Sequence, residues 1–346
     1  MSNKANTSIL IIYTGGTIGM IQNAETGALE SFNFDHLLNH VPELKQFNIN
    51  IDSRTFTPPI DSSDMEPELW SRIVTIIEEN YERYDGFVIL HGTDTMSFTA
   101  SALSFMLEGL MKPVILTGSQ LPIGALRTDG KENLITAIEI AAAKNPDGTP
   151  VVPEVCVFFQ DKLMRGNRTT KINSESFGAF DSNNYPPLGV AGTSIQYYTN
   201  NIKKYTPGKK LKAHHEYNNN IIIFSLFPGI KREIVEEVLR AKELKGIIFR
   251  TFGAGNAPQK RWLIDALSKA TANGKIIINI TQCAGGSVHM ELYETGLQLL
   301  EAGVISGKDS TVEAALTKLM YLLGKGLPTE EVRRLMSKSL EGEITE

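Results

Sequence analysis

The sequence predicts two successive α/β domains, each built on a mainly parallel sheet with helices on both faces. Three observations point to this. Short runs rich in Ile, Val and Phe alternate with segments of helical period, as buried parallel strands and their crossover helices do. The alternation breaks between about Pro186 and Asn220, where Pro186-Pro187, Pro207-Gly208 and the Asn218–Asn220 triplet mark a polar connector. Beyond it the pattern restarts. With 346 residues and 42% apolar content, the chain is long enough to bury two cores. The expected division is a domain over 1–195, a linker over 196–219 and a second domain over 220–346.

In chain order, the first domain's strands are read at 9–13, 87–90, 114–117 and 155–159. Between them, Leu69, Ile73, Ile76 and Ile77 share one face of a helix spanning about 68–81. Ala100, Leu103, Leu107 and Leu110 do the same in the next helix. In the second domain, 221–224, 247–249 and 276–280 read as buried strands, and two closing helices lie near 311–323 and 329–337. Ser310 and Glu313 have capping-box spacing ahead of Val312, Leu316, Leu319 and Leu323.

Composition removes several function classes. Net charge is −5, and the densest basic cluster (Lys203, Lys204, Lys209, Lys210, Lys212) sits in the polar connector, so a nucleic-acid partner is not expected. Cys156 and Cys283 are far apart and belong to no CxxC or Cys/His grouping, which predicts neither a disulfide framework nor structural zinc. The first apolar run is shorter than a signal-peptide core and is stopped by Thr14-Gly15-Gly16, and no run approaches the roughly 20 apolar residues that span a bilayer. A soluble, cytoplasmic chain with no membrane partner, no metal and no cofactor is expected.

Four polar turns could carry chemistry. Thr14-Gly15-Gly16-Thr17-Ile18-Gly19 directly follows a strand, where open α/β sheets collect ligands, and its glycines let backbone approach a ligand closely. It lacks P-loop spacing and is not GxGxxG. His91-Gly92-Thr93-Asp94-Thr95 also lies between a strand and a helix, although Asp94 reads equally as a helix N-cap. Asp61-Ser62-Ser63-Asp64 precedes the first helix, with capping again the simple explanation. Arg165 to Lys171 follows the strand 155–159. A loop lysine is usually solvated, but a desolvated one kept partly neutral can take the proton of a threonine hydroxyl, itself a poor nucleophile. Thr, Lys and Asp thereby form a functional set. His36, His40, His91, His214, His215 and His289 are not grouped as metal ligands, and there is no GxSxG elbow.

Taken together, TGGTIG, ILHGTDTM, TGSQLPIGALRTDG, RGNRTTK, the RTFGAGNAPQ run from Arg250 and TQCAGGSV from Thr281 resemble the bacterial-type L-asparaginase family, in particular its cytoplasmic type I branch. The resemblance covers nearly the whole chain. It implies a larger N-terminal α/β domain with a mostly parallel sheet and a smaller flavodoxin-like C-terminal α/β domain. It further implies L-asparagine as substrate and Thr17 as nucleophile, giving a β-aspartyl ester and ammonia before water releases aspartate. Thr93, Asp94 and Lys171 form the implied hydroxyl, carboxylate and base group; Ser62 and Asp94, with Ser63 beside them, match the positions holding the substrate's α-groups; Ser119 matches a backbone contact to the side-chain amide. Arg250, Cys283 and Thr170 match regulatory positions, implying a second asparagine site.

The family often places a Tyr in the loop after the TGGT turn. Here Gly27 and Ala28 occupy that region and the next Tyr is Tyr81; Tyr293 is a candidate substitute if a neighbouring subunit presents it, the alternative being an aromatic that packs at a helix start. Self-association to a homodimer or homotetramer follows from the resemblance. Two alternatives stand beside it: a mixed asparaginase-glutaminase, and a non-catalytic asparagine-binding sensor that keeps the pocket, against which the Thr17, Thr93, Asp94 and Lys171 set speaks.

Overall fold

In a computed structural model, residues 7–22, 29–31, 41–292 and 294–346 are described. His36, His40, Gly27, Ala28 and Tyr293 lie outside them. The chain divides into two compact units, 1–215 and 216–346.

The first unit is built on an eight-stranded sheet. Its order is Ile195–Tyr197, Gly189–Ala191, Lys162–Arg165, Val155–Phe159, Val114–Thr117, Gly86–Leu90, Ser8–Gly15 and Asn50–Ile60. The last five run parallel to one another and the first three pair antiparallel. The mostly parallel character follows from runs such as Ile9-Leu10-Ile11-Ile12 and Phe87-Val88-Ile89-Leu90, apolar at every position because both faces are covered. One face presents Ile9, Ile11, Val88, Leu90, Ile115, Cys156 and Phe158 to Leu134, Ala137, Ile138 and Ala141 of the helix Gly130–Ala142. The helix Met96–Met106 packs on the strands Val114–Thr117 and Val155–Phe159, and the helix Pro67–Asn80 packs on it in turn.

Several local differences from the sequence reading have tertiary causes. The helix Pro67–Asn80 buries Trp70, Ile73, Val74 and Ile77, leaving Leu69 and Ile76 half-buried; the large Trp70 takes the centre of the face, and its indole nitrogen bonds Thr99. Helix Met96–Met106 stops before Leu107 and Leu110 because Leu107–Glu108 turns into a strand against Lys212–Ala213. That pairing, with Ile195–Tyr197 in the main sheet, binds part of the polar stretch 196–219 into the first unit.

The second unit has a four-stranded parallel sheet ordered Ile221–Ser225, Gly246–Thr251, Ile276–Thr281, Ile305–Ser306. Ile247, Phe249 and Ile277 on one face meet Val235, Leu239, Leu263 and Leu267 of the helices Arg232–Arg240 and Arg261–Ala272. The helix Val312–Gly324 packs on the sheet as well, and its N-cap is Thr311, whose hydroxyl accepts from the Ala314 amide, one residue later than the capping-box reading. Among the described residues no helix is long and apolar enough to cross a membrane.

Candidate active site

The sheet order fixes where a site forms. From Ser8–Gly15 the chain moves to Asn50–Ile60 on one side, then crosses to Gly86–Leu90 on the other. The reversal opens a crevice at the carboxyl ends of Ser8–Gly15 and Gly86–Leu90, the position where open α/β sheets bind ligands. The turns after those two strands carry Thr17 and Thr93, and the turn after Asn50–Ile60 carries Ser62.

These three turns converge on Gly92. Gly16 has φ 88°, and a Cβ there would lie 2.5 Å from the Gly92 Cα. A Cβ on Gly92 would in turn lie 2.5 Å from the Ser62 Oγ. Main chain therefore packs on main chain at the seam, which only glycine permits. Thr17 opens a 3-10 turn (Thr17–Gly19) immediately after Gly16 and is half-buried. Thr95 donates its hydroxyl to the Ser62 carbonyl at 2.7 Å, tying the second turn to the third.

Asp61 caps the 3-10 turn Ser62–Asp64 and not the helix Pro67–Asn80, whose N-cap is Glu66 with no side-chain bond. Asp61 Oδ1 accepts from the Ser63 amide and the Ser63 hydroxyl, both at 2.9 Å, and these bonds hold its carboxyl below the ordinary range. Ser63 is thereby turned to Asp61, and Ser62 is buried beside Gly92. Asp94 does otherwise: the helix N-cap is Thr95, with no side-chain capping bond, and the Asp94 carboxylate meets Lys171.

Lys171 comes from far along the chain. The hairpin of Val155–Phe159 and Lys162–Arg165 ends in a buried ion pair, Arg165 Nε to Glu154 Oε2 at 2.7 Å. A 3-10 turn, Gly166–Arg168, then packs Gly166 against Ala100 of the helix that follows Thr93 and Asp94. Thr169 donates to the Arg165 carbonyl at 2.7 Å, and Thr170–Lys171 pairs antiparallel with Phe180–Asp181. The Lys171 side chain is 17% exposed, and its Nζ donates to Thr93 Oγ1 at 2.8 Å and to Asp94 Oδ1 at 2.6 Å. A hydroxyl, an amine and a carboxylate thus stand in contact beside the Thr17 turn, an arrangement able to pass a proton along it.

Ser119 is buried, its hydroxyl donating to the Leu121 carbonyl at 2.5 Å. Its neighbour Gln120 was missed by the sequence reading: Gln120 Oε1 lies 3.4 Å from Thr93 Oγ1 while Nε2 donates to the Ser176 carbonyl at 3.0 Å. Its place three residues beyond the strand end Thr117 was the available signal. His91 was weighed only as a metal ligand or triad base. It is buried, burial pushes its imidazole down to about 4, and Nδ1 stands 2.7 Å from the Gly92 carbonyl.

In the second unit, Arg250 and Cys283 lie near the carboxyl ends of adjacent strands, where Thr251 is in register with Thr281. Arg250 Nη2 reaches the Gln282 carbonyl at 3.5 Å, and the Cys283 amide donates to Thr281 Oγ1 at 3.0 Å, leaving an exposed free thiol. Thr170 belongs to the first unit.

The model of the asparaginase N-terminal domain matches residues 8–203, and that of the glutaminase/asparaginase C-terminal domain matches residues 220–336. The chain belongs to the asparaginase family. It is 46% identical over 344 residues to L-asparaginase 1 of Escherichia coli K12, covering 98% of each chain. The crystal structure of L-asparaginase I from Vibrio cholerae superposes with a TM-score of 0.89 at 43% identity, covering 99% of this chain and 100% of that one. The thermostable L-asparaginase from Thermococcus kodakarensis gives a TM-score of 0.89 at 36% identity, covering 98% and 100%. The two-domain asparaginase fold, with a large, mostly parallel N-terminal sheet and a smaller domain on a parallel sheet, is thereby established for this chain.

Proposed function

We propose that the chain is an amidohydrolase that converts L-asparagine to L-aspartate and ammonia through a threonine nucleophile. Membership of the asparaginase family supports the substrate. The observation that carries the mechanism is the position of Lys171 Nζ, 2.8 Å from Thr93 Oγ1 and 2.6 Å from Asp94 Oδ1, beside the turn that bears Thr17.

In this reading the Thr17 hydroxyl oxygen attacks the side-chain amide carbon and loses its proton. The tetrahedral oxyanion collapses, the C–N bond breaks, and the amide nitrogen takes a proton and leaves as ammonia. A β-aspartyl ester remains on Thr17. Water then attacks the same carbon, the ester C–O bond breaks, and the proton returns to Thr17. Thr93, Lys171 and Asp94 serve proton transfer for the attacking hydroxyl or the water. Ser62, with Ser63 beside it, and Asp94 hold the substrate's α-carboxylate and α-amino groups, the Ser119 backbone contacts the side-chain amide, and backbone amides near Thr17 and Thr93 stabilise the oxyanion. The reaction is placed in the cytoplasm and in a self-associated dimer or tetramer. The same proposal gives Arg250 and Cys283 a second asparagine, coupled to Thr170 and so to Lys171; its signature is sigmoidal kinetics whose cooperativity Arg250→Ala weakens while sparing turnover at saturating substrate.

The decisive experiment is ammonia release from L-asparagine by the purified protein and by Thr17→Ala. The variant should keep its fold and lose turnover, because no core cavity opens. Residual activity above about one per cent of wild type defeats Thr17 as nucleophile, and tight asparagine binding without ammonia release by the wild type favours a sensor.

A further inference from the structure

We propose that His91 is a positioning residue for this reaction, its ring holding the Gly92–Thr93 peptide so that the Thr93 N–H donates into the site. The inference rests on the amide hydrolysis proposed above.

Every donor and acceptor role in this part of the core is forced. The Gly92 carbonyl, 2.7 Å from His91 Nδ1, only accepts, so Nδ1 carries the proton. The buried ring is neutral at pH 7, which leaves Nε2 an acceptor. Thr99 Oγ1, 2.9 Å away, therefore donates to it, and the same oxygen accepts from the Trp70 indole N–H at 3.0 Å, a group that only donates. A chain of three hydrogen bonds thus runs from the helix Pro67–Asn80 through the helix Met96–Met106 to a single peptide carbonyl in the site.

The direction of that peptide matters. In a planar trans peptide the C=O of residue 92 and the N–H of residue 93 point opposite ways. Binding the carbonyl to the buried ring turns the Thr93 N–H away from it, toward the open side of the turn. Within the described residues the Thr93 N–H makes no hydrogen bond, so it is available to a ligand. Gly92 supplies no side chain to resist rotation of the peptide, and none fits, since Gly16 and Ser62 pack against it on either side. The orientation is supplied by His91 instead. A donor fixed in advance where negative charge develops acts on the transition state and not on substrate binding, so its signature lies in kcat.

The test separates the two ring nitrogens. Asn at position 91 places an amide N–H where Nδ1 stands, and Gln places one where Nε2 stands. Deleting an oxyanion donor outright costs about 10²–10³ in kcat, so misaligning one should cost about tenfold to a hundredfold. His91→Gln and His91→Leu should show that loss with KM within about twofold of wild type, and His91→Asn should recover kcat to within about threefold. In wild-type protein labelled with nitrogen-15, the His91 ring should show an Nδ1–H tautomer, a measurement that needs neither activity nor a variant. Equal kcat for Asn and Gln, full activity of Leu, or an Nε2–H tautomer overturns the proposal. Wild type that releases no ammonia overturns the underlying reaction, and so is told apart from failure of the positioning role.

Discussion

Acid should destabilise the first unit through one buried ring. Burial pushes His91 from the usual 6.5 down to about 4. Between those values the unfolded chain binds a proton that the folded chain excludes. The ring's contribution is therefore complete above about pH 6.5, declines as pH falls, and is lost below about pH 4. That interval corresponds to about 3 kcal/mol. The hydrogen bonds agree with the direction, since a charged ring would present a donor at Nε2 where the Thr99 hydroxyl now donates. The perturbation is His91→Asn, which does not titrate. All other ionisable groups are shared, so the difference in melting temperature between variant and wild type isolates the ring. At roughly 2–4 °C per kcal/mol for a unit of this size, the wild-type advantage at pH 7 should shrink by roughly 6–12 °C at pH 4. A difference that stays constant between those pH values would refute the argument.

Three further outcomes are expected. Lys171→Arg should lose at least about two orders of magnitude in kcat although the charge is kept, because guanidinium does not give up its proton; a fully active Arg variant would remove Lys171 from proton transfer. Gly92→Ala drives a Cβ to 2.5 Å from Ser62 Oγ and 2.7 Å from Ser62 Cβ, a clash that side-chain rotation alone does not relieve, and should raise KM for asparagine by displacing the Ser62 turn while lowering the melting temperature; unaltered kinetics would show that the seam tolerates a methyl. Lys318→Met removes the partner of a fully buried carboxylate, Glu343, at 2.6 Å, and should cost about 3–5 kcal/mol and expose the segment 337–346 to limited proteolysis; an unchanged denaturation midpoint would contradict it.

The strands were legible because burial on both faces demands uninterrupted apolar runs, and Ile9 to Ile12 or Phe87 to Leu90 have no other ready use. Helix faces were less so. Periodicity alone could not tell that Trp70 would displace Leu69 from the centre of its face, nor that Leu107 would leave a helix to pair with Ala213, because both depend on partners distant in sequence. The same limit applies at the site. The turns after strand ends marked Thr17, Thr93 and Ser62, whereas the Lys171 contacts span 77 and 78 residues and nothing local announces them. The capping explanation of Asp94 failed for that reason: Lys171, brought from 77 residues further along the chain, binds the carboxylate, and Thr95 takes the helix N-cap. Asp61 does cap, but it caps the 3-10 turn Ser62–Asp64 ahead of the helix Pro67–Asn80 and not the helix itself.

How Lys171 is delivered explains a feature that stability does not. Arg165 and Glu154 are both almost wholly buried, and a buried ion pair contributes little net stability because desolvating two charges offsets their attraction. The pair has another consequence. Glu154 also accepts from the Lys203 amide, and Arg165 donates to the Asn201 carbonyl, so several segments are fixed to the root of the stretch 166–171. Six residues beyond Arg165, Lys171 must place one nitrogen on two oxygens of a turn that grows from a different strand. Apolar packing tolerates small slippage, whereas a charged pair with defined hydrogen bonds does not. The ion pair and the packing of Gly166 against Ala100 thus fix position at the start of the segment, the Thr169 hydroxyl on the Arg165 carbonyl fixes it further along, and the strand Thr170–Lys171 fixes it at the end. Geometry that a proton transfer needs within fractions of an ångström is set by the main chain that carries Lys171, before its side chain makes any contact with the reacting groups.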